Sequence, residues 1–328
     1  MIISKTPFRI SFFGGGTDYP VWFREHGGAV LGTTIDKYAY ITCRYLPPFF
    51  EHKYRLVYSK MENVNSIEEI DHPSVRECIR FSNIKSGLEI HHDSDLPARS
   101  GLGSSSTFTV GLLNCLSLLK GEENSKNNLA EDAIHVEQNL INENVGCQDQ
   151  IHTAFGGFNH IIFFQDGSFN VKPVIVNPEV TNALQDHCLL FFTGFSRFAS
   201  DIALEQIKKT NEKKKELYIM QSMVDEAKKI LNEENINIDE FGKLLHENWI
   251  LKRSLTKKIT SNAIDTIYDA GIKAGASGGK LLGAGGGGFM LFIAKPELHD
   301  SIKEKLKDLL YVSFKFENNG TSIIFSQS

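Results

Sequence analysis

Three glycine-rich segments constrain the fold of this chain more than any other feature of its sequence. They are Gly14–Gly16, Gly101–Gly103 and Gly275–Gly288, the last of which ends in four consecutive glycines. Because glycine loses more backbone freedom on folding than any other residue, a loop that merely joins two elements rarely carries so many. We therefore expect the third segment to pass very close to another chain segment or to a bound ligand.

The first segment follows a predicted strand. Residues 2–13 alternate between two faces, one of them rich in Phe and Ile, which is typical of a strand that ends at Gly14. Asp18 then lies at the tip of a loop. It either serves a ligand or caps a short helix that begins near Pro20, because Asp is a preferred N-cap residue.

The second segment belongs to the loop Leu96–Ser106, which leads into a predicted helix at 104–119. The free N–H groups and the positive dipole end of such a helix make an anion site. A serine hydroxyl there can also reach a metal ion held by phosphates. The alternative is that one serine is simply the N-cap.

The third segment nearly matches two nucleotide-binding motifs, but it satisfies the requirements of neither. The spacing within 283–288 fits G-x-G-x-x-G, but a dinucleotide site needs a helix next, and residues 289–293 are predicted as a strand. This argues against a nicotinamide dehydrogenase. The Gly-Lys at 279–280 nearly ends a Walker A loop, which would need Gly at Ala274 and Ser or Thr at Leu281.

Two carboxylates, Glu137 and Asp149, lie at positions that suggest a functional role. Glu137 falls within the apolar stripe of a predicted helix at 129–143, where a carboxylate is costly unless it is paired or binds a metal ion. It is a candidate Mg²⁺ ligand, and pairing with a buried Arg or hydroxyl is the alternative. Asp149 follows a predicted C-cap at Gly146, so we expect it on a loop near the end of that helix. It can accept a hydroxyl proton in phosphoryl transfer, or it can simply make an Asx-turn.

Four motifs in order along nearly the whole chain resemble those of the GHMP kinase superfamily: Gly14–Tyr19 with Pro7 and Arg9, Leu96–Ser106, Gly146–Gln150 and Gly283–Gly288. Within the superfamily the chain is most similar to D-glycero-D-manno-heptose 7-phosphate kinases of bacterial surface-polysaccharide (lipopolysaccharide or capsule) synthesis. That similarity includes Gly14–Asp18 and the stretch from Leu244 through Gly288. One departure is that galactokinases carry Glu-His where this chain has Gly15 and Gly16, which weighs against galactose.

The mixture of elements predicts the α+β class. Further helices are predicted at 199–234, 239–256, 262–274 and 296–310. The resemblance implies two domains: an ATP-binding domain at 1–180, similar to ribosomal protein S5 domain 2 with a left-handed crossover, and a ferredoxin-like domain at 181–328.

The resemblance also implies roles for individual residues, with ATP and Mg²⁺ as cofactors. Asp149 matches the general base, Arg9 an arginine beside the transferred phosphate, and Glu137 and Ser105 the Mg²⁺ ligands. The ATP phosphates would lie on Ser100, Gly101, Leu102, Gly103, Ser104, Ser105 and Ser106. The sugar would contact Asp18, with Gly15, Gly16, Thr17, Gly285, Gly286 and Gly287 around it.

The implied reaction is phosphorylation of the C1 hydroxyl of D-glycero-D-manno-heptose 7-phosphate to the 1,7-bisphosphate. A 7-phosphate needs a cationic pocket, for which Arg197, Arg253 and Lys53 are candidates, although surface ion pairs would also explain them. Another sugar, such as L-fucose or an unphosphorylated heptose, is the alternative substrate. A non-catalytic sugar sensor would be expected to have lost Glu137 or Asp149, and both are present.

The composition argues against nucleic acid and membranes as partners, which leaves a small-molecule substrate as the expected partner. The formal net charge is -5 and no long basic stripe occurs, which argues against nucleic acid. The five cysteines are scattered, which favours neither disulfides nor zinc. No apolar run approaches the roughly 18 residues of a membrane span, so we expect a cytoplasmic protein. The sequence leaves monomer and homodimer open.

Overall fold

The computed structural model of the chain describes residues 1–194, 199–233 and 236–327. The strands in these ranges are β1 (Ile2–Phe13), β2 (Gly28–Tyr45), β3 (Tyr54–Val57), β4 (Met61–Val64), β5 (Leu88–Ser94), β6 (Phe158–Phe163), β7 (Phe169–Pro173), β8 (Cys188–Phe192), β9 (Gly278–Leu281), β10 (Phe289–Ile293), β11 (Leu310–Tyr311), β12 (Phe316–Glu317) and β13 (Ser322–Ser326).

The α-helices in the described part of the chain are α1 (Pro20–His26), α2 (Pro73–Ser82), α3 (Ser104–Leu119), α4 (Lys126–His135), α5 (Gln148–Phe155), α6 (Pro178–Asp186), α7 (Ala199–Lys209), α8 (Lys214–Leu231), α9 (Ile238–Leu255), α10 (Asn262–Lys273) and α11 (His299–Lys305). No helix in these ranges is long and apolar enough to cross a membrane.

The first strands build a large nine-stranded sheet. β1 pairs antiparallel with β2 on one side and with β13 on the other, and the order continues β13-β1-β2-β5-β3-β4. The 18-residue β2 also pairs with β6 near its start, and β6 pairs with β7. The apolar face of β1 is buried, and α3 packs on β1 and β2. The end of β1 and the start of α3 therefore meet at one edge of this layer.

A second, four-stranded antiparallel sheet has the order β11-β8-β10-β9. Helix α9 packs on β9 and β10 and against α8. The short strands β12 and β13 return to the large sheet by pairing with β2 and β1. Mixed helix and sheet in two layers agree with the predicted α+β class, and the division at residue 180 stays a prediction.

Several predicted helices have different bounds. The helix predicted at 129–143 ends as α4 at His135 and continues as a π-helical turn at Val136–Leu140. The helix predicted at 199–234 is interrupted by a 3₁₀ turn at Thr210–Lys213. That predicted at 296–310 is a 3₁₀ turn followed by α11, which ends at Lys305. At Val136–Leu140 the apolar pattern runs on through the irregular turn, so periodicity alone does not reveal that break, whereas the turn at Thr210–Lys213 contains no apolar residue.

Candidate functional site

The second and third glycine segments lie against each other. A methyl carbon placed on Gly283, whose φ is +77°, would lie 2.5 Å from Gly101 Cα. The N–H of Phe289 donates to the carbonyl of Ser100 at 3.1 Å, and Gly288 has no room for a side chain beside that same carbonyl. The prediction that the third segment passes very close to another chain segment is confirmed.

The loop formed by the second segment leads directly into α3. The N-cap residue is Gly103, with φ +82°, and no side chain caps the helix. The plain serine N-cap considered above is therefore wrong, because Ser104 lies inside the helix and its hydroxyl accepts from the N–H of Arg99 at 2.9 Å. The exposed Ser105 and the first helical N–H groups remain at the helix start, where an anion is stabilised.

Arg9 and Asp149 form a bidentate ion pair beside this loop. Arg9 Nε donates to Asp149 Oδ1 and Nη2 donates to Oδ2, each at 2.7 Å, while Nη1 donates to the Gly101 carbonyl at 2.7 Å. Arg9 is buried, whereas the Asp149 side chain is 26% exposed. A methyl carbon on Gly103 would lie 3.3 Å from Asp149 Oδ2, so the carboxylate adjoins the start of α3.

The placement of Asp149 corrects the prediction from the sequence. It lies in the first turn of α5, not on a loop, and its carboxylate is held by Arg9 rather than by an Asx-turn. Gly146 is not a helix C-cap, because the preceding helical turn ends at Leu140. Gly146 instead packs directly on the carboxylate of Asp18, where a side chain would overlap it.

Glu137 is fully buried, as the apolar stripe predicted. Its carboxylate accepts hydrogen bonds from the hydroxyls of Ser106 at 2.8 Å and Thr109 at 2.9 Å, and from the Gln150 amide. Burial raises the pKa of Glu137 to about 7, although these donors oppose the shift. These contacts are the hydroxyl pairing named as the alternative for Glu137, and the role of Ser105 as a Mg²⁺ ligand stays a prediction. A carboxylate with hydroxyl oxygens is a hard-oxygen donor set of the kind that Mg²⁺ uses together with phosphate oxygens.

Asp18 is buried near the Arg9–Asp149 pair. It accepts from the N–H of Gly16 at 2.9 Å and from Gln148 Nε2 at 3.0 Å. Burial raises the pKa of Asp18, and the negative charge of Asp149 adds to the rise. The helix-capping alternative is wrong, because the N-cap of α1 is Tyr19 and no side chain caps it.

Two buried lysines near these groups were missed by the sequence reasoning. Lys252 Nζ donates to the Gly283 carbonyl at 2.8 Å, and Lys280 Nζ donates to the Phe12 carbonyl at 2.8 Å. Burial lowers the pKa of Lys252 to about 8 and also lowers that of Lys280. A signal for Lys252 was present, since it lies three residues after the buried Trp249 on the apolar face of α9. The same test that singled out Glu137 would have found it.

The structure describes two of the three residues predicted for the pocket of the sugar's own phosphate, Arg253 and Lys53. Arg253 Nη1 donates to Asp265 Oδ1 at 2.9 Å, and its guanidinium lies 5.8 Å from the ring centroids of Trp249 and Tyr268. This contact fits the ion-pair alternative. Lys53 is exposed near β3. Arg197 lies outside the described residues.

Two family models match the chain. One, described as GHMP kinases N terminal domain, matches residues 73–157, and the other, GHMP kinases C terminal, matches residues 223–312. The D-glycero-alpha-D-manno-heptose 7-phosphate kinase of Campylobacter jejuni is 28% identical over 338 residues, which cover 97% of each protein.

Solved structures share the fold. A crystal structure of a D-glycero-D-manno-heptose 1-phosphate kinase from Bacteriodes thetaiotaomicron superposes with a TM-score of 0.81 at 24% identity, covering 100% of both chains. The mevalonate kinase of Methanococcus jannaschii gives a TM-score of 0.72 at 22% identity, covering 96% of this chain and 98% of the other. At these identities the likeness concerns the fold alone.

Proposed function

The chain belongs to the GHMP kinases and is a sugar kinase with ATP as its phosphate donor, and from this premise we propose that it phosphorylates the C1 hydroxyl of D-glycero-D-manno-heptose 7-phosphate to the 1,7-bisphosphate. Such a product would serve the synthesis of nucleotide-activated heptose for surface polysaccharide. The similarity over 97% of both proteins to a heptose 7-phosphate kinase supports this choice of acceptor.

The single observation that carries the proposed reaction is the Arg9–Asp149 pair against the start of α3. The carboxylate of Asp149 is partly exposed and held in one orientation by two hydrogen bonds from Arg9. A fixed carboxylate beside a helix N-terminus can accept a hydroxyl proton where phosphate binds. Asp149 would take the proton of the C1 hydroxyl as the hydroxyl oxygen bonds to phosphorus and the bond between phosphorus and the leaving oxygen of ADP breaks.

Charge that develops on the phosphoryl oxygens needs donors that are already in place. The Arg9 guanidinium and the N–H groups at the start of α3 provide such donors. Residues Ser100 to Ser106 would form the nucleotide-phosphate loop, which the contact with the third glycine segment holds in position. When bound, ATP supplies the γ-phosphoryl group and Mg²⁺ neutralises charge on its phosphates.

Glu137 and Ser105 would hold the metal ion. The buried carboxylate accepts from the Ser106 and Thr109 hydroxyls, and Ser105 is exposed one residue before Ser106. A buried carboxylate with a raised pKa gains from a neighbouring cation, because the cation stabilises its charged form. We propose Glu137 and Ser105 as Mg²⁺ ligands, with Ser106 positioning the carboxylate.

Asp18 would bind hydroxyls of the acceptor, with the backbone at Gly15–Thr17 and Gly285–Gly287 around it. The charge of the Asp149 carboxylate helps to raise the pKa of Asp18, and this proximity supports a role for Asp18 on the acceptor side of the proposed base. We propose that residues 1–180 carry the nucleotide site and residues 181–328 complete the cleft, and that the enzyme works in the cytoplasm.

The test is ADP release with ATP and Mg²⁺ against five acceptors: D-glycero-D-manno-heptose 7-phosphate, the unphosphorylated heptose, sedoheptulose 7-phosphate, L-fucose and galactose. We expect kcat/KM on the heptose 7-phosphate to exceed every other value by about tenfold or more. Preference for a neutral sugar would overturn the phosphorylated acceptor and keep the kinase. Absence of turnover on all five, with ATP still bound, would overturn the acceptor class.

A further inference from the structure

Three polar side chains converge on the space that a side chain at Gly15 would occupy. A methyl carbon placed on Gly15 would lie 3.6 Å from Lys252 Nζ, 3.7 Å from Gln148 Nε2 and 3.8 Å from Ser11 Oγ. The three groups come from α9, α5 and β1, so the tertiary fold brings them together. We call Ser11, Gln148 and Lys252 around Gly15 the Gly15 subsite.

The polar atoms of the Gly15 subsite are buried and incompletely paired. Ser11, Gln148 and Lys252 are only 5%, 8% and 6% exposed. Ser11 Oγ has no hydrogen-bond partner within the described residues, whereas Gln148 Nε2, the Gln148 atom that faces Gly15, donates to Asp18 Oδ2. Lys252 Nζ donates to the Gly283 carbonyl, and an ammonium group can donate three times. Because buried polar groups are normally paired, the unpaired Ser11 hydroxyl and the spare donors of Lys252 beside Gly15 point to a further partner that accepts hydrogen bonds.

The neighbouring charges favour an anion. Arg9 and Asp149 neutralise each other in their bidentate pair, and Lys280 is held by the Phe12 carbonyl. Asp18 attracts Lys252, but burial raises the pKa of Asp18 and so disfavours its charged form. Lys252 is thus a buried cation with donors left for a ligand, which is the ordinary way in which Lys binds phosphate.

Resting on the proposed function, we propose that the Gly15 subsite binds the phosphate that the acceptor sugar already carries, with Lys252 as the cation that selects it. The glycine leaves the space for this group, and the Ser11 hydroxyl donates a second hydrogen bond to it. Lys252 then determines which acceptor is used, while Arg9 and Asp149 act on the phosphoryl group that is transferred. A mere counter-ion of Asp18 would instead support every acceptor equally.

The test compares Lys252→Met with the wild type on heptose 7-phosphate and on the unphosphorylated heptose. Methionine keeps the length of the side chain and removes the charge. We expect kcat/KM on the 7-phosphate to fall about a hundredfold, as for a lost charged hydrogen bond, and kcat/KM on the neutral heptose to change less than about threefold. The matched control is Lys243→Met, an exposed lysine on the same helix, which should leave the ratio between the two acceptors unchanged.

Gly15→Ala provides a second variant that leaves the charges in place. Its methyl group would stand at ordinary van der Waals distance from all three polar atoms, so the fold is retained while the space is filled. We expect this variant to lower kcat/KM on heptose 7-phosphate more than kcat/KM on the neutral heptose. Binding of inorganic phosphate, measured calorimetrically with a non-hydrolysable ATP analogue on the nucleotide loop, should be lost in Lys252→Met.

Each outcome decides between the two proposals. A wild type that prefers heptose 7-phosphate, with Lys252→Met keeping that preference, overturns the Gly15 subsite alone. Equal losses on both acceptors assign Lys252 to Asp18 or to the transferred phosphoryl group and also overturn the subsite. A wild type that uses only neutral sugars and binds no inorganic phosphate overturns the proposed acceptor and the subsite together. A wild type without turnover on any panel sugar, but with phosphate bound through Lys252, overturns the proposed acceptor and keeps the subsite.

Discussion

Arg9 and Asp149 are joined by two parallel hydrogen bonds of 2.7 Å although 140 positions separate them in the chain. Arg9 lies on strand β1 and Asp149 in the first turn of α5. The pair fixes both the direction of the carboxylate and the approach of α5 to β1. It also brings the proposed base to the start of α3, where the nucleotide phosphates are proposed to bind.

Asp149→Asn is expected to remove most turnover and leave ATP binding nearly intact. The asparagine amide has the same shape and keeps one hydrogen bond from Arg9, but it cannot accept the proton of the C1 hydroxyl. We expect kcat to fall by about a hundredfold or more, the usual contribution of a general base, with the ATP dissociation constant within about threefold. Single-turnover kinetics and calorimetric ATP binding measure the two quantities separately. The control is Asp166→Asn in the exposed turn before β7, and equal loss of turnover and ATP binding would contradict the role of Asp149.

Glu137→Gln is expected to raise the Mg²⁺ concentration that gives half-maximal activity. Glutamine keeps the shape of the side chain and can still accept from one of the Ser106 and Thr109 hydroxyls, but it loses the charge that the metal ion needs. We expect a shift of about tenfold or more, as for other losses of metal-site ligands. Glu131→Gln on the exposed face of α4 is the matched control. An unchanged Mg²⁺ titration would remove Glu137 from the metal site.

The sequence predicted the elements whose patterns are local. α3 begins and ends where its apolar period and its serines predicted. Glu137 was recognised as buried because one charged residue stood in an apolar stripe. These predictions needed only residues that are neighbours along one helix.

What the sequence could not provide depends on long-range packing. α5 was missed because Gly146 suggested the end of a preceding helix, whereas its lack of a side chain is required by the nearby Asp18. The Gly15 subsite joins β1, α5 and α9, and no local pattern places those elements together. Lys252 lay on the apolar face of a predicted helix, but only the structure shows what its ammonium faces.

Gly283→Ala is expected to destabilise the contact between the two glycine segments. The added methyl group would meet Gly101 Cα at 2.5 Å, and the residue would also hold a positive φ. We expect the free energy of unfolding to fall by about 2–4 kcal/mol, from backbone strain and from overlap together. The matched control is Gly121→Ala, with the same φ of +77° and nothing within 4 Å, which isolates the strain. Denaturant unfolding and ATP affinity measure the effect, and equal losses in both variants would show that the contact contributes nothing.

The pH profile of the phosphorylated acceptor should carry an alkaline limb set by Lys252. Burial lowers its pKa to about 8, opposed by Asp18 and Asp149 and reinforced by Arg9, and Lys280 is the other cation close by. Below pH 8 the ammonium is charged and can bind an anion; above it the charge is lost.

We therefore expect kcat/KM on heptose 7-phosphate to fall about tenfold per pH unit above roughly pH 8, since this quantity reports groups of the free enzyme. The neutral heptose should lack this limb. Lys252→Arg should remove it, because a guanidinium stays charged throughout the range. A limb that persists unchanged in Lys252→Arg would mean that another group titrates, and that Lys252 does not bind the acceptor's phosphate through its charge.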